Sequence, residues 1–377
     1  MNTFNLPQCE QLNTHYLAHI FDNKSESYKL FWFKAILEHV LKGESEITFD
    51  SLVNTMLKNA WYMVSEYKLN LGPSDAIEQT VLYLYKVSGI APSEKEDKII
   101  DFLKQCNDKE FIKLKKRLCE MVPYRLQAPF MPNITRSIWD SKPSIIEYIN
   151  MQEDMIYYIE SNKNVLDMRV LITDLWADYL KSNAGILMGW VDYNLITYLQ
   201  RRNPSVPGIS NKLYPPQARQ LTAAKEYWKA VIRASQAKRP FLDIYSDERL
   251  IEKGISIDHF VPWSYVAHDE LWNLIPTTRS INSSKSNNLP EWDIYFPRLC
   301  EAEYFAYQLV NEYDHMKDLQ SAAMKCLKEH VNDDEVRHRL YRGGQSQLEF
   351  SNRLEEIVFP AYESARNMGF GIWKYGL

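Results

Sequence analysis

Ile257-Asp258-His259-Phe260-Val261-Pro262-Trp263-Ser264, then Asn273-Leu274-Ile275-Pro276, then Asn282-Ser283-Ser284-Lys285-Ser286-Asn287, form the stretch on which the reading of this chain turns. Alternation and β-branching predict a short strand over Ile255-Ser256-Ile257-Asp258-His259-Phe260 and another over Phe241-Leu242-Asp243-Ile244-Tyr245, with 246–254 connecting them. An Asp-His pair alone says little, because such pairs often cap or pair structurally. Here it ends an expected strand and is followed by a loop holding Asn273 and a polar stretch holding Asn282 and Lys285. A strand–loop–helix path of this kind can bring an imidazole, a carboxylate and an amide oxygen to one point.

That set suits metal-assisted phosphodiester hydrolysis. A hard Mg2+ ion prefers oxygen ligands, keeps several waters and needs few protein groups. Asp258 and Asn282 offer two oxygens. His259, with a pKa near neutrality, can take a proton from an attacking water. Asn273 would lock the loop so that His259 holds one orientation, and Lys285 would offset phosphate charge.

The segment resembles the HNH (ββα-metal) nuclease motif, and in detail the HNH domain of RNA-guided CRISPR nucleases. That pattern has Asp-His, Pro and Ser soon after, a central Asn, then Asn-x-x-Lys-Ser. Fourteen positions separate His259 from Asn273 and nine separate Asn273 from Asn282, which fits it without a gap. The resemblance implies a small ββα-metal module in which His259 is the general base, Asp258 and Asn282 hold Mg2+ (with Mn2+ as a substitute), and Asn273 supports the loop. Two departures stand out: Trp272 occupies a place where an acid often precedes the central Asn, and no zinc-binding cysteines brace the module. Nothing resembles the RuvC half or guide-binding lobe of the CRISPR nucleases, so guided cleavage is not implied. Helices around Tyr28 to Leu37 and Ala60 to Leu71 look similar to parts of stand-alone bacterial HNH proteins, some of them in anti-phage defence.

Outward from this stretch the chain reads as mostly α-helical. Twelve glycines in 377 residues are under half the usual ~7 %, which leaves little room for tight hairpins. Neither G-x-G-x-x-G nor G-x-x-x-x-G-K-[ST] occurs, which excludes the usual dinucleotide and P-loop folds. After Ser25, a candidate N-cap, Tyr28, Phe31, Trp32, Ala35, Ile36 and Val40 recur at helical spacing. Leu52, Met56, Ala60, Met63 and Val64 mark a second helix, and Ile77, Val81 and Leu84 a third. Phe31, Trp32, Trp61 and Tyr62 read as core rather than as a surface for stacked bases. Pro123, Pro129, Pro132 and Pro143 suggest a connector. Beyond it, 167–202 suits one long helix or a broken pair, and after Pro215-Pro216 a helix of about twenty residues is expected to end near Arg239-Pro240. Four segments follow: a helical region at 1–122, a connector with a long helix at 123–205, the nuclease module at 206–300, and a C-terminal helical region at 301–377.

Charge narrows the function further. With 44 Lys/Arg against 49 Asp/Glu the chain carries −5, so nucleic-acid contact must come from local patches. Nine Lys/Arg fall between Arg201 and Arg239 against the single acid Glu226. Lys225, Lys229 and Arg233 are four apart on one helix face. A solvated face is the plain alternative, but the helix leads straight into the module, and a duplex in the site could run along this stripe. Elsewhere, Lys113-Leu114-Lys115-Lys116-Arg117 is basic enough to touch phosphate but reads as a solvated face, His268-Asp269-Glu270 could extend the site but reads as an exposed loop, and Asp333-Asp334-Glu335 reads as a helix start. His315, His330 and His338 show no metal-ligand pattern. Five scattered cysteines argue against a disulfide framework, and no apolar run reaches the ~18 residues of a membrane span.

These readings converge on a cytoplasmic Mg2+-dependent endonuclease with antiviral defence as a setting. Its partner is DNA, double-stranded or nicked by family analogy, with RNA left open. An uncontrolled nuclease would harm its host, which favours a gating partner such as an ATPase, helicase or sensor, or a homo-oligomer. The alternative is a non-catalytic nucleic-acid-binding or assembly subunit that keeps the HNH shape.

Overall fold

The computed structural model describes residues 5–22, 26–216, 219–313 and 315–376. The chain divides into two compact units, one of residues 1–204 with 209–215, the other of 205–208 with 216–377.

The first unit is built from helices around aromatic side chains. Tyr28–Leu41 buries residues on nearly every face, Phe31 and Trp32 completely. The expected cap Ser25 lies outside the described residues. Phe49–Trp61 starts at Thr48, whose hydroxyl accepts from the Ser51 N–H, and runs on as a π-helical turn, Tyr62–Glu66. Trp61 is fully buried and Tyr62 nearly so, as expected of core residues. Asp75 caps Ala76–Ser88 and Gly89, at φ +68°, ends it in the left-handed conformation.

Two features of this unit depart from the sequence reading. The prolines at 123, 129 and 143 sit in the first turns of Val122–Arg125, Ala128–Phe130 and Lys142–Met151, where a missing N–H costs nothing. They shape short helices inside the unit. A small antiparallel sheet, unanticipated, places Arg169–Leu171 between Glu46–Thr48 and Tyr158–Glu160. The 167–202 segment is a broken pair, Asp174–Ser182 and Ala184–Arg202, parted at Asn183.

In the second unit one apolar core runs from Ala224 to Phe370, so segments drawn separately as 206–300 and 301–377 fold around common side chains. The helix before the module is Thr222–Ser235, shorter than expected. Its Trp228 indole donates to the Leu274 carbonyl at 2.8 Å and ties it to the sheet.

The sheet pairs Ile255–His259 antiparallel with Leu274–Thr278, His259 facing Leu274 and Asp258 facing Ile275. The expected strand over Phe241–Tyr245 does not form. Asp243 Oδ1 takes the Tyr245 N–H at 2.9 Å and Oδ2 the Thr277 hydroxyl at 2.6 Å, curling the backbone into a turn and leaving one isolated bridge, Leu242 to Arg249. Thr278 then caps Arg279–Lys285, completing ββα order with a different first pair than the pattern suggested.

Four helices follow: Trp292–Glu312, Lys317–His330, Asp334–Leu340 and Gln347–Asn367. Asp333 caps the third of these, as its acidic start implied. The C-terminal Ile372–Trp373 pairs in parallel with Leu289–Pro290, just past the module's helix. Among the described residues no helix is long and apolar enough to cross a membrane, and all five cysteines are free thiols.

Candidate active site

Adjacent residues of a strand point to opposite sides, and the last two of Ile255–His259 use this. Asp258, 3 % exposed, meets Tyr245 and Lys285. The Tyr245 hydroxyl donates to Oδ2 at 2.6 Å, and the Lys285 ammonium donates to Oδ1 at 3.1 Å and to the His259 carbonyl at 2.7 Å. Lys285 is fully buried, and burial pulls its pKa below the ordinary lysine value against the opposing charge of Asp258. The expectation that Lys285 would offset phosphate charge is therefore not what this arrangement serves: the ammonium neutralises Asp258 inside the fold.

His259 turns the other way. Its Nε2 lies 2.7 Å from Asp269 Oδ1 and its Nδ1 lies 3.3 Å from Arg219 Nη1. Burial lowers the imidazole pKa; the hydrogen bond to Asp269 works against that, and Arg219 adds to it. Asp269 is half-buried, which alone would raise its pKa, but the His259 hydrogen bond and the charges of His259 and Arg219 hold it below the usual range.

The segment 268–270, expected to be an exposed loop, is built in instead. The Asp269 carbonyl lies 2.8 Å from His330 Nδ1, and the buried Glu270 carboxylate takes the Asn332 side-chain amide at 2.7 Å and its backbone N–H at 3.2 Å. Sequence reasoning set Asp269 aside as loop and His330 as a histidine without a ligand pattern, and did not name Asn332. The signal that was present is the Asp269 carboxylate ten residues beyond His259; the sixty-residue separation from its supports is invisible in the sequence.

Asn273, fully buried, clasps the intervening loop. Its Oδ1 accepts the Val261 N–H at 2.7 Å, its Nδ2 donates to the Val261 carbonyl at 2.8 Å, and the Phe260 N–H bonds its backbone carbonyl at 2.9 Å. These bonds hold the chain leaving His259 against the start of the second strand. Asn282, on the capped helix, donates through Nδ2 to Ser256 Oγ at 2.8 Å and to the Ile257 carbonyl at 3.0 Å. With Nδ2 so engaged, Oδ1 is the end of that amide free to accept.

Whether these residues fit a divalent cation turns on donor chemistry. A carboxylate has about four lone-pair sites, and Asp258 uses only part of them, on one hydroxyl and one ammonium. Together with Asn282 Oδ1 this makes an oxygen-only set of low ligand count, suited to a hard ion that keeps its waters. No group of three His, Cys, Asp or Glu that could form a dedicated metal cage exists among the described residues. The donors fit.

The basic stripe is placed differently. Lys229 bonds Glu226 at 2.8 Å, and Arg233 grips Glu252 through two nitrogens at 3.1 and 2.6 Å. Lys225 makes no ion pair among the described residues.

Residues 243–291 match the family model described as HNH endonuclease. That span runs from the Asp243 turn past Lys285 and contains Asp258, His259, Asp269, Asn273 and Asn282; Arg219, His330 and Asn332 lie outside it. No curated protein and no solved structure matches the chain.

Proposed function

From the premise that this chain carries an HNH endonuclease domain over residues 243–291, we propose that it is a cytoplasmic, Mg2+-dependent DNA endonuclease in which His259 is the general base. The observation that carries this reading is the 2.7 Å contact between His259 Nε2 and Asp269, one residue from Asp258. A carboxylate only accepts, so this contact places the imidazole proton on Nε2 and leaves the Nδ1 lone pair to receive a proton from water. Asp269 steadies the imidazolium that forms, and Asn273 holds the loop against rotation of the base. Asp258 and Asn282 would hold the metal, which supplies charge stabilisation for the phosphate and the leaving oxygen.

Lys285 gives the Asp258 carboxylate a partner and a fixed orientation in a buried setting where an unpaired charge would be costly. Lys225, with Lys229 and Arg233 once freed from their glutamates, would contact duplex phosphates. An anti-phage setting rests on the resemblance of the helices around Tyr28 to Leu37 and Ala60 to Leu71 to stand-alone bacterial HNH proteins, and control by a partner protein follows from the danger of an unregulated nuclease.

The experiment is supercoiled-plasmid cleavage with Mg2+, Mn2+ and EDTA, run beside His259→Ala. Metal-dependent nicking lost in the variant supports the reading, while a parent inert under all three conditions with duplex affinity intact returns the chain to a nucleic-acid-binding subunit. Isothermal titration of Mg2+ into Asp258→Ala and Asn282→Ala should show weaker binding in both, more so for Asp258, which carries charge. Unchanged affinity in both removes them as ligands.

A further inference from the structure

We propose that Arg219 is a phosphate-contacting residue that also caps the base: in the free protein its guanidinium covers His259 Nδ1, and a bound phosphodiester draws it away and uncovers the lone pair. This rests on the nuclease reading of His259.

The neighbours of the ring fix where its proton sits. Nε2 faces the acceptor-only Asp269 carboxylate, so it carries the hydrogen and Nδ1 carries the lone pair. Arginine has only donors, and its Nη1 stands 3.3 Å from that lone pair. The two contacts are mutually consistent for a neutral imidazole in this tautomer alone. A base must present a free lone pair to water, and here the lone pair is occupied.

What holds the guanidinium there is weak. The contact at 3.3 Å is long and its acceptor is uncharged; the other supports are the face of Trp263, 5.5 Å from ring centroid to guanidinium carbon, and the charge of Asp269, which attracts Arg219 without forming an ion pair. Among the described residues no carboxylate pairs with Arg219, whereas Arg233, Arg239, Arg298 and Arg339 each hold one. Arg219 is exposed, so most of its five donors face solvent. A planar fork with unspent donors matches a phosphodiester, and charge-assisted bonds to an oxyanion are about twice as strong as bonds to a neutral acceptor. A phosphate arriving beside His259 therefore outcompetes the imidazole for the guanidinium. The residue that positions the substrate thus releases the base in the same movement, and its position outside residues 243–291 puts this device in the flanking chain.

The test uses the full-length protein in EDTA, where nothing is cleaved. The His259 Nδ1 resonance, assigned by its loss in His259→Gln, is followed by 15N NMR in the parent, in Arg219→Ala and in Arg219→Lys, with and without a 12-base-pair DNA duplex. The proposal expects Nδ1 to move toward the free-acceptor position in Arg219→Ala, and to move the same way in the parent when duplex is added. Arg219→Ala should also flatten the slope of log K for duplex against log salt by about 0.9, the value of one phosphate contact. Arg219→Lys should recover the slope, because it keeps the charge, but not the cap geometry. An Nδ1 resonance indifferent to Arg219→Ala overturns the cap, and an unchanged salt slope overturns the phosphate contact; either ends the proposal. A parent that cleaves no DNA with Mg2+ is a separate failure, of the nuclease reading, and leaves the EDTA measurements to stand by themselves.

Discussion

Lys285 with Asp258 and Arg233 with Glu252 are both ion pairs of the second unit, at 3.1 and 2.6 Å, and the shorter is the less consequential. Lys285 and Asp258 are 0 % and 3 % exposed, so neither charge has water to fall back on. Arg233 and Glu252 are 57 % and 38 % exposed, and solvent replaces most of what the partner supplies. Surroundings rather than distance decide what an ion pair is worth. The same contrast separates the candidate active site, where Asp258, Asn273 and Lys285 are each held by more than one partner, from the stripe on Thr222–Ser235, where lysine and arginine can exchange a glutamate for another anion at little cost.

The largest effect should come from the buried side, at the base. His259→Ala is expected to cut turnover by roughly 10²–10⁴-fold, with circular dichroism and duplex affinity retained. A variant as fast as the parent breaks the assignment of His259 and with it the functional half of the contrast.

Next in size is Lys285→Met. It strands Asp258 without its cation, and urea titration should show a loss of about 3–5 kcal/mol. Adding Asp258→Asn to it should restore part of that loss, because the uncompensated charge is gone. If Glu252→Gln proves equally damaging, burial is not the deciding variable.

Glu303 extends the contrast to the core behind the site. It is buried on Trp292–Glu312 with no hydrogen-bond partner for Oε1, and burial raises its pKa well above 4.5. The sign follows from proton counts. Between pH 4.5 and the higher folded pKa the unfolded chain has released this proton while the folded chain keeps it, so stability falls as pH rises through that window. Glu303→Gln should therefore melt higher than the parent at pH 7.5, by about 2–4 °C for each kcal/mol recovered, and level with it at pH 4.5. An equal difference at both values would show that folding does not raise the pKa of this carboxyl.

The smallest effects belong to the stripe. Glu252→Gln should cost no more than about 1 kcal/mol. Replacing Lys225, Lys229 and Arg233 together with Ala should flatten the salt dependence of duplex binding by roughly one unit if only Lys225 meets phosphate, and by 2–3 units if the glutamates release the other two. An unchanged slope returns the whole stripe to a solvated face.

Asp258, His259, Asn273, Asn282 and Lys285 could be picked out as candidates from residue type and spacing because they fall within thirty positions of chain. The helical class was legible too, since glycine scarcity and a 3.6-residue apolar period are local properties. Pairing of the strands was not. Phe241–Tyr245 alternates like a strand, yet Asp243 spends its carboxylate on its own backbone and on Thr277, and the strand that does pair, Leu274–Thr278, contains Pro276. Proline is tolerated there because a two-stranded sheet has a free edge that needs no N–H from it.

Which way each candidate side chain faces was decided only in three dimensions. Lys285 was expected at the phosphate and lies in the interior, because pairing with Asp258 there avoids an unpaired buried charge. Asp269 was expected in solvent and lies on His259, because His330 and Asn332, some sixty residues later, hold its loop in place. Residue types and near spacing follow from the chain itself, whereas burial and long-range partners exist only once the helices around the module have closed on one core.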